Sequence, residues 1–336
     1  MIKYLGSKKK LVPFIVEKMG ALEDVKHVVD LFSGTSRVGH ALKAKGYRVY
    51  SNDYNKYAYT IARCYVEADS SLIPQVTAEV EMLNNIEGRA GWFTKTYCED
   101  SRFFQPKNGE RIDSIRSEIE NSYSGIMKDV LLTSLMEAAD RVDSTCGIQM
   151  AYIKKWSSRS FKDLELRVPD LLPPSLHGKG KAFLGDSNEF VKNHKADVFY
   201  IDPPYNQHSY LGNYHIWETL VSWDTPETYG KAKKRVECQE RKSSYNSKRA
   251  HKETFTDLIG NLDARYAIVS FSDEAYMSRE ELEETLSTRG TFHVYEYDYK
   301  RYVGAQIGIY SPEGEKVGKE GKRRNTERLF VLEISQ

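Results

Sequence analysis

Cysteine is scarce in this sequence, and the four present, Cys64, Cys98, Cys146 and Cys238, stand far apart. That spacing excludes a compact disulfide framework and offers no pair of thiols at zinc-ligand separation. No two histidines have metal-ligand spacing either, so no metal site is expected. Long apolar runs are missing too: nothing approaches the roughly 20 residues needed to cross a bilayer. The opening MIKYLGSKKKLVPFI lacks the apolar core and small-residue cleavage site of a secretory signal. A cytoplasmic location without a membrane partner is therefore expected. An excess of one charge is likewise absent, because the formal net charge is only +1. The overall balance thus announces no polyanionic partner, and the distribution of charge matters instead.

That distribution is uneven. Residues 231–252 carry nine lysines and arginines against two glutamates, and a second basic stretch, KVGKEGKRRNTER, spans residues 316–328. The stretch VKHVVDLF, residues 25–32, has the β-branched run of a buried strand. Residues 33–39 supply turn residues before a helical stretch around residues 41–45, and YRVYSND, residues 47–53, reads as a second strand ending in an acid. Strand, glycine-bearing turn, helix, strand, acid is the order of a nucleoside-binding βαβ unit. From residue 57 to residue 180 the periodicity turns helical: Leu72, Ile73, Val76, Val80 and Leu83 follow it, as do Ile112, Ile115 and Ile119, and so do residues 126–142. Residues 57–180 are expected to form a mostly helical insertion within a domain built from residues 1–56 and 181–336. Strand character returns at residues 182–187, 196–202 and 264–272, followed by a helix at 279–286. TFHVYEYDY, AQIGIYS and RLFVLEIS close the chain as strands. The expectation is an α/β fold with a mixed sheet and an antiparallel edge.

Two strand ends carry chemistry. The loop DLFSGTSRVG, residues 30–39, falls at the carboxyl edge of an open sheet, where such folds bind ligands. Gly34 lets a ligand approach the backbone, and Asp53 can accept from both hydroxyls of a ribose. The pyrophosphate fingerprint G-x-G-x-x-G is broken by Ser36 and crowded by Arg37, which disfavours a dinucleotide. A cofactor with adenosine and no phosphates, such as S-adenosylmethionine, fits better. Further on, the strand ADVFYI runs into Asp202-Pro203-Pro204-Tyr205. Chance would place this tetrapeptide in such a chain with a probability on the order of one in a thousand. Successive prolines remove two N–H donors and hold the backbone extended, so carbonyl oxygens and the Asp202 carboxylate converge as acceptors only. The matching group is an amine with two hydrogens, as on adenine or cytosine.

Asp-Pro-Pro-Tyr after a strand, Asp-Leu-Phe-Ser-Gly before it, and Lys3-Tyr4-Leu5-Gly6-Ser7-Lys8 at the start resemble the DNA adenine-N6 methyltransferases of the D12 class. DPPYNQHSYLGNYHIWETL is similar to the type II restriction–modification subgroup whose loop reads Asn-x-Arg-x-Tyr; here His208 stands in place of the arginine. The resemblance implies a Rossmann-like S-adenosylmethionine-dependent methyltransferase fold. It implies that Tyr4, Gly6 and Lys8 hold the methionine carboxylate, that Asp30, Phe32 and Gly34 line the methionine, that Asp53 binds the ribose and that Asp186 meets the cofactor's adenine. Asp202 and the Pro203 carbonyl, with Pro204 as part of the rigid turn, would grip the target amine, and Tyr205 would stack on the base. Asn206, His208 and Tyr210 would lie against double-stranded DNA.

In that light the run 231–252 becomes a phosphate contact through Lys233, Lys234, Arg235, Lys248 and Arg249, and YKRYVG, residues 299–304, adds Lys300 and Arg301 between late strands. The helical insertion becomes part of the target-recognition region, and a cognate restriction endonuclease, as a separate chain, becomes a possible partner. The same chemistry on cytosine N4 or on RNA, and a noncatalytic DNA-binding module, are the alternatives.

Overall fold

Nine strands form in chain order in the computed structural model, which describes residues 1–300 and 324–335. They are β1 (His27–Asp30), β2 (Arg48–Asp53), β3 (Lys181–Leu184), β4 (Val198–Ile201), β5 (Thr228–Tyr229), β6 (Lys234–Arg235), β7 (Tyr266–Ser272), β8 (Gly290–Lys300) and β9 (Arg324–Ile334). Seven of them make one sheet in the order β3-β2-β1-β4-β7-β9-β8, while β5 and β6 pair apart from it. From β3 to β7 all neighbours are parallel. Such strands are covered on both faces, which explains why β4 is a continuous apolar run with all four residues buried. β9 runs antiparallel to both β7 and β8. The reversed strand is therefore the penultimate one, set inside the edge where its backbone groups pair on both sides. The strand expected at AQIGIYS and most of the second basic stretch lie outside the described residues.

Helices occupy residues 57–180 almost to the exclusion of strands. Ile73–Asn84 turns Val76, Val80 and Leu83 inward, and Pro106–Ser122 does the same with Ile112, Ile115 and Ile119. Gly125–Val142 buries residues on every side, as a central helix must. This helical core does not close on itself: Tyr214, Ile216, Trp217 and Leu220, from the segment after the acceptor tetrapeptide, are part of the same cluster. Gln149 stitches the two together. Its N–H donates to the Asn213 carbonyl (2.7 Å), its side-chain oxygen accepts from the Ile216 N–H (2.9 Å), and its carbonyl bonds His215 Nε2 (3.0 Å). Among the described residues, no helix is long and apolar enough to cross a membrane.

The turn from β1 into helix Arg37–Ala44 shows what the departure at Ser36 costs. Ser36 is fully buried with φ 54° and ψ 24°, a left-handed conformation that favours glycine. Its hydroxyl has no hydrogen-bond partner among the described residues. Replacing Ser36 with glycine should raise thermal stability by about 1 kcal/mol, the relief of strain and of an unpaired hydroxyl exceeding the entropy glycine loses. Comparing melting curves of the two proteins checks this, and a lower melting temperature in the variant would assign the hydroxyl a stabilising contact.

Candidate active site

Strand direction lays out the site. Because β1, β2 and β4 are parallel, Asp30, Asp53 and Asp202 all emerge at one edge of the sheet, around the crevice between β1 and β4 where strand order reverses. A cavity of about 330 Å³ opens there. Its wall includes all eight residues expected at the cofactor, Tyr4, Gly6, Lys8, Asp30, Phe32, Gly34, Asp53 and Asp186, together with Asp202, Pro204 and Tyr210.

Each acid is held differently. Asp53 accepts from the Gly34 N–H on one oxygen (2.9 Å), and from the Asn55 N–H (2.9 Å) and amide (3.2 Å) on the other. A carboxylate has about four acceptor sites, so one remains for a hydroxyl. Burial raises the pKa of Asp53 above the usual carboxylate range. Asp30 receives the Gly39 N–H on Oδ2 (3.0 Å), which ties β1 to the following helix, and burial pushes its pKa up to about 7. Asp186 caps helix Ser187–Asn193, accepting from the N–H groups of Asn188 and Glu189.

Aromatic rings form the opposite wall. Tyr4 is sandwiched between Tyr210, 5.1 Å away at 10°, and Tyr214, 4.6 Å away at 15°, and its hydroxyl meets that of Tyr57 at 3.0 Å. Gly34, at φ 50°, lies under the Tyr4 ring, where an added Cβ would come within 3.1 Å. Phe32 meets Tyr245 edge to face at 5.2 Å. Ser7 Oγ, Ser33 Oγ and Asp30 Oδ1, all on residues lining the cavity, are buried and have no hydrogen-bond partner among the described residues. Unmatched polar atoms beside aromatic faces suit a ligand that joins an amino acid to a nucleoside, as S-adenosylmethionine does.

Lys8 is engaged in a way the sequence did not suggest. Its ammonium lies 3.0 Å from Asp202 Oδ1 and 2.5 Å from Oε1 of Glu327 on β9. Burial raises the Asp202 pKa to about 6, with Lys8 opposing and Glu327 adding to the rise. Tyr205 stands beside the cavity, half-buried against Phe271 at 6.2 Å, with its carbonyl accepting from the Tyr276 N–H (2.9 Å). Pro203 is buried.

The residues expected at DNA divide. Tyr210 belongs to the cavity wall, whereas His208 is exposed on a loop whose Asn206 and His208 carbonyls both accept from the Asn246 amide. Lys248 and Arg249 are exposed, and among the described residues neither forms an ion pair. Lys234 is half-buried, and the Lys233 ammonium is 3.1 Å from Asp100. Arg235 is a correction. It is 4% exposed, donates to both Asp224 oxygens (2.7 Å each) and pairs with Glu237. Its charge is spent within the protein. The Lys300 backbone ends β8, and its side chain and Arg301 lie outside the described residues.

Sequence reasoning missed part of the wall: Arg37, Tyr54, Asn55 and the segment 241–246 also line it. The last of these falls inside the run expected to track phosphates. The contact of Tyr245 with Phe32, its hydrogen bond to Asn188 (2.8 Å) and the Arg241 bond to Asn55 (2.9 Å) fold the run back over the cavity.

The comparisons agree with this geometry. The chain is 32% identical to "Type II methyltransferase M.FokI" from Planomicrobium okeanokoites, over 90% of this chain and 50% of that one. It is 31% identical to "Modification methylase StsI" from Streptococcus sanguinis, over 91% and 50%. Against "Type II methyltransferase M.NlaIII" from Neisseria lactamica the identity is 29%, over 90% of this chain and 92% of the relative. The chain thus spans about half the length of the first two. Residues 4–285 match the model of the D12 class N6 adenine-specific DNA methyltransferases, and the chain belongs to that family.

Proposed function

We propose that this chain transfers a methyl group to N6 of an adenine flipped out of double-stranded DNA, at a specific sequence, as the modification component of a restriction system. The observation that carries the reading is that the Asp202 carboxylate opens into the same cavity as the cofactor wall. S-adenosylmethionine, the methyl donor, supplies an electrophilic methyl on a sulfonium. Tyr4, Gly6, Lys8, Asp30, Phe32, Gly34, Asp53 and Asp186 are the residues to hold it.

The adenine amine is a weak nucleophile because its lone pair is delocalised into the ring. Asp202 and the Pro203 carbonyl, accepting one N–H hydrogen each, would favour the pyramidal nitrogen and orient its lone pair, a positional and electrostatic contribution. No strong base is needed. Flipping the base costs a few kcal/mol, and stacking on Tyr205 recovers part of it, at about 1–3 kcal/mol. Asn206, His208 and Tyr210 follow directly in the chain and are read as contacts to the DNA around the flipped base. The helical insertion, residues 57–180, is read as part of target recognition, supported by its packing on helix His215–Ser222 and by the Gln149 clamp. A cognate endonuclease would be a separate chain.

Incubation with methyl-labelled cofactor and duplex DNA should place label on N6 of adenine; label confined to cytosine or to RNA would overturn the reading. Asp202→Asn should lower turnover at least 100-fold while cofactor affinity, measured by calorimetry, stays within a few fold. Only ionised Asp202 is a pure acceptor, and the group ionises as pH rises through about 6. kcat/KM on DNA should therefore fall on the acid side with a midpoint near that pH.

The pairing pattern also separates the basic residues. Changing Lys248 and Arg249 to alanine should flatten the dependence of log affinity for DNA on log salt by about 0.9 for each phosphate no longer neutralised. Arg235→Ala should leave that slope unchanged and cost about 1–3 kcal/mol of stability, reduced from the fully buried case because Asp224 and Glu237 keep some solvent. Equal slopes for the double variant and the parent would remove these residues from the interface.

A further inference from the structure

We propose that Glu327, far from the acceptor motif in sequence, is a positioning residue for methyl transfer: it holds the Lys8 ammonium so that Lys8 takes one oxygen of Asp202 and leaves the other for the substrate amine. This role rests on the methyl-transfer reading above. Three elements meet at the cluster. Lys8 comes from the N-terminal loop, Asp202 from the end of β4, and Glu327 from β9, where its Oε1 also accepts from Ser270 Oγ of β7 at 2.6 Å. Lys8 and Glu327 are 7% and 0% exposed, whereas the Asp202 side chain keeps 18%. The Lys8 ammonium lies 3.0 Å from Oδ1, and among the described residues no hydrogen bond to Asp202 Oδ2 is found.

Charge counting argues against a purely stabilising role. Lys8 and Asp202 would already form a neutral pair. A second buried carboxylate adds a desolvation cost, and among the described residues Oε2 of Glu327 has no hydrogen-bond partner to offset it. What Glu327 adds is geometry. A lysine ammonium on a flexible four-carbon stem, held by one acceptor, can swing between the two oxygens of Asp202. Anchored by Glu327, and through Ser270 to β7, it stays on Oδ1.

The charge of Glu327 also sets how readily Asp202 ionises. The groups facing Asp202 are Lys8, Glu327, Asp30 and the hydroxyls of Tyr200, Tyr205 and Tyr210. Lys8 favours the carboxylate and Glu327 opposes it. Glu327→Gln keeps an oxygen for the ammonium and removes the charge; Glu327→Ala removes both.

The decisive measurement is the titration of the Asp202 carboxyl, followed by carbon-13 NMR in aspartate-labelled protein and assigned by its loss in Asp202→Asn. In Glu327→Gln its midpoint should move down by about one unit, and the acid limb of kcat/KM on duplex DNA should move with it. In Glu327→Ala, kcat should fall about 10- to 100-fold through lost orientation, with cofactor affinity, to which Lys8 also contributes, falling by less. A midpoint and an acid limb that both stay in place in Glu327→Gln, with only the melting temperature lowered, would overturn the proposal and leave Glu327 a structural residue. Should Glu327→Ala fail to fold, the glutamine variant decides. A wild-type protein that methylates no DNA overturns the methyl-transfer reading itself and this role with it, an outcome distinct from an unmoved midpoint in an active enzyme.

Discussion

Parallel strands deliver their carboxyl ends to one edge of a sheet, and where strand order reverses the crossover helices diverge and leave a gap at that edge. In this protein the reversal lies between β1 and β4, and the rest of the site depends on it. The register Val28↔Val198 through Asp30↔Tyr200 fixes the end of β1 against the end of β4, so Asp30 and Asp202 sit in a set relation before any ligand arrives. The N-terminal segment closes the gap from above. Leu11, Ile15 and Met19 bury themselves with Val28, Val198 and Ile268, and this anchoring carries Tyr4 and Lys8 over the cavity. Burying such a side chain contributes roughly 1.5–3 kcal/mol, enough in sum to hold the strap in place.

Gathering acids at one dry edge creates an electrostatic problem that the fold answers locally. Asp53 is satisfied by three hydrogen bonds, and Asp30 by one and by a pKa raised to about 7. Glu218, 1% exposed, accepts from the N–H groups of Lys56 and Tyr57 at the start of helix Lys56–Ala62 and pairs with Arg241. A carboxylate at a helix N-terminus gains from the helix dipole as well as from the bonds. The same residue thus joins helix His215–Ser222 to the helix that follows β2. Among the described residues, Asp202 is the acid of the three strand ends that is met by a cation. That difference suits the acceptor role proposed for it.

What could be read in the sequence was whatever a short stretch of chain determines. The strands β1, β2, β4 and β7 announce themselves through β-branched or apolar runs, and Asp53, Asp202 and Gly34 through their place at strand ends. Glu327 gives no such signal: it lies in a strand of mixed character, and its meaning comes from Lys8, 319 residues away. Gln149 and Glu218 are silent for the same reason, since each acts by bonding backbone groups of a distant element. Arg235 misled in the opposite direction. A run of positive charge looks available until Asp224 and Glu237 fold onto it, and composition cannot see that pairing.

The helical insertion separates β2 from β3 in the chain, yet it shares its core with the residues that follow the acceptor tetrapeptide. Trp217, Tyr214 and Ile216 are buried in that shared core, and the Gln149 side chain occupies the Ile216 N–H at the start of their helix. Burial holds His215 neutral, its pKa pushed down to about 3, so this junction carries no change of charge near neutral pH. Tyr214 and Tyr210, on the same short stretch, form the two outer layers of the stack around Tyr4. A shift of the insertion relative to the sheet would therefore have to move the aromatic wall of the cavity as well. Packing of this density transmits displacement better than it absorbs it. Through this shared core, contacts made by the insertion can reach the place where the cofactor wall and Asp202 meet.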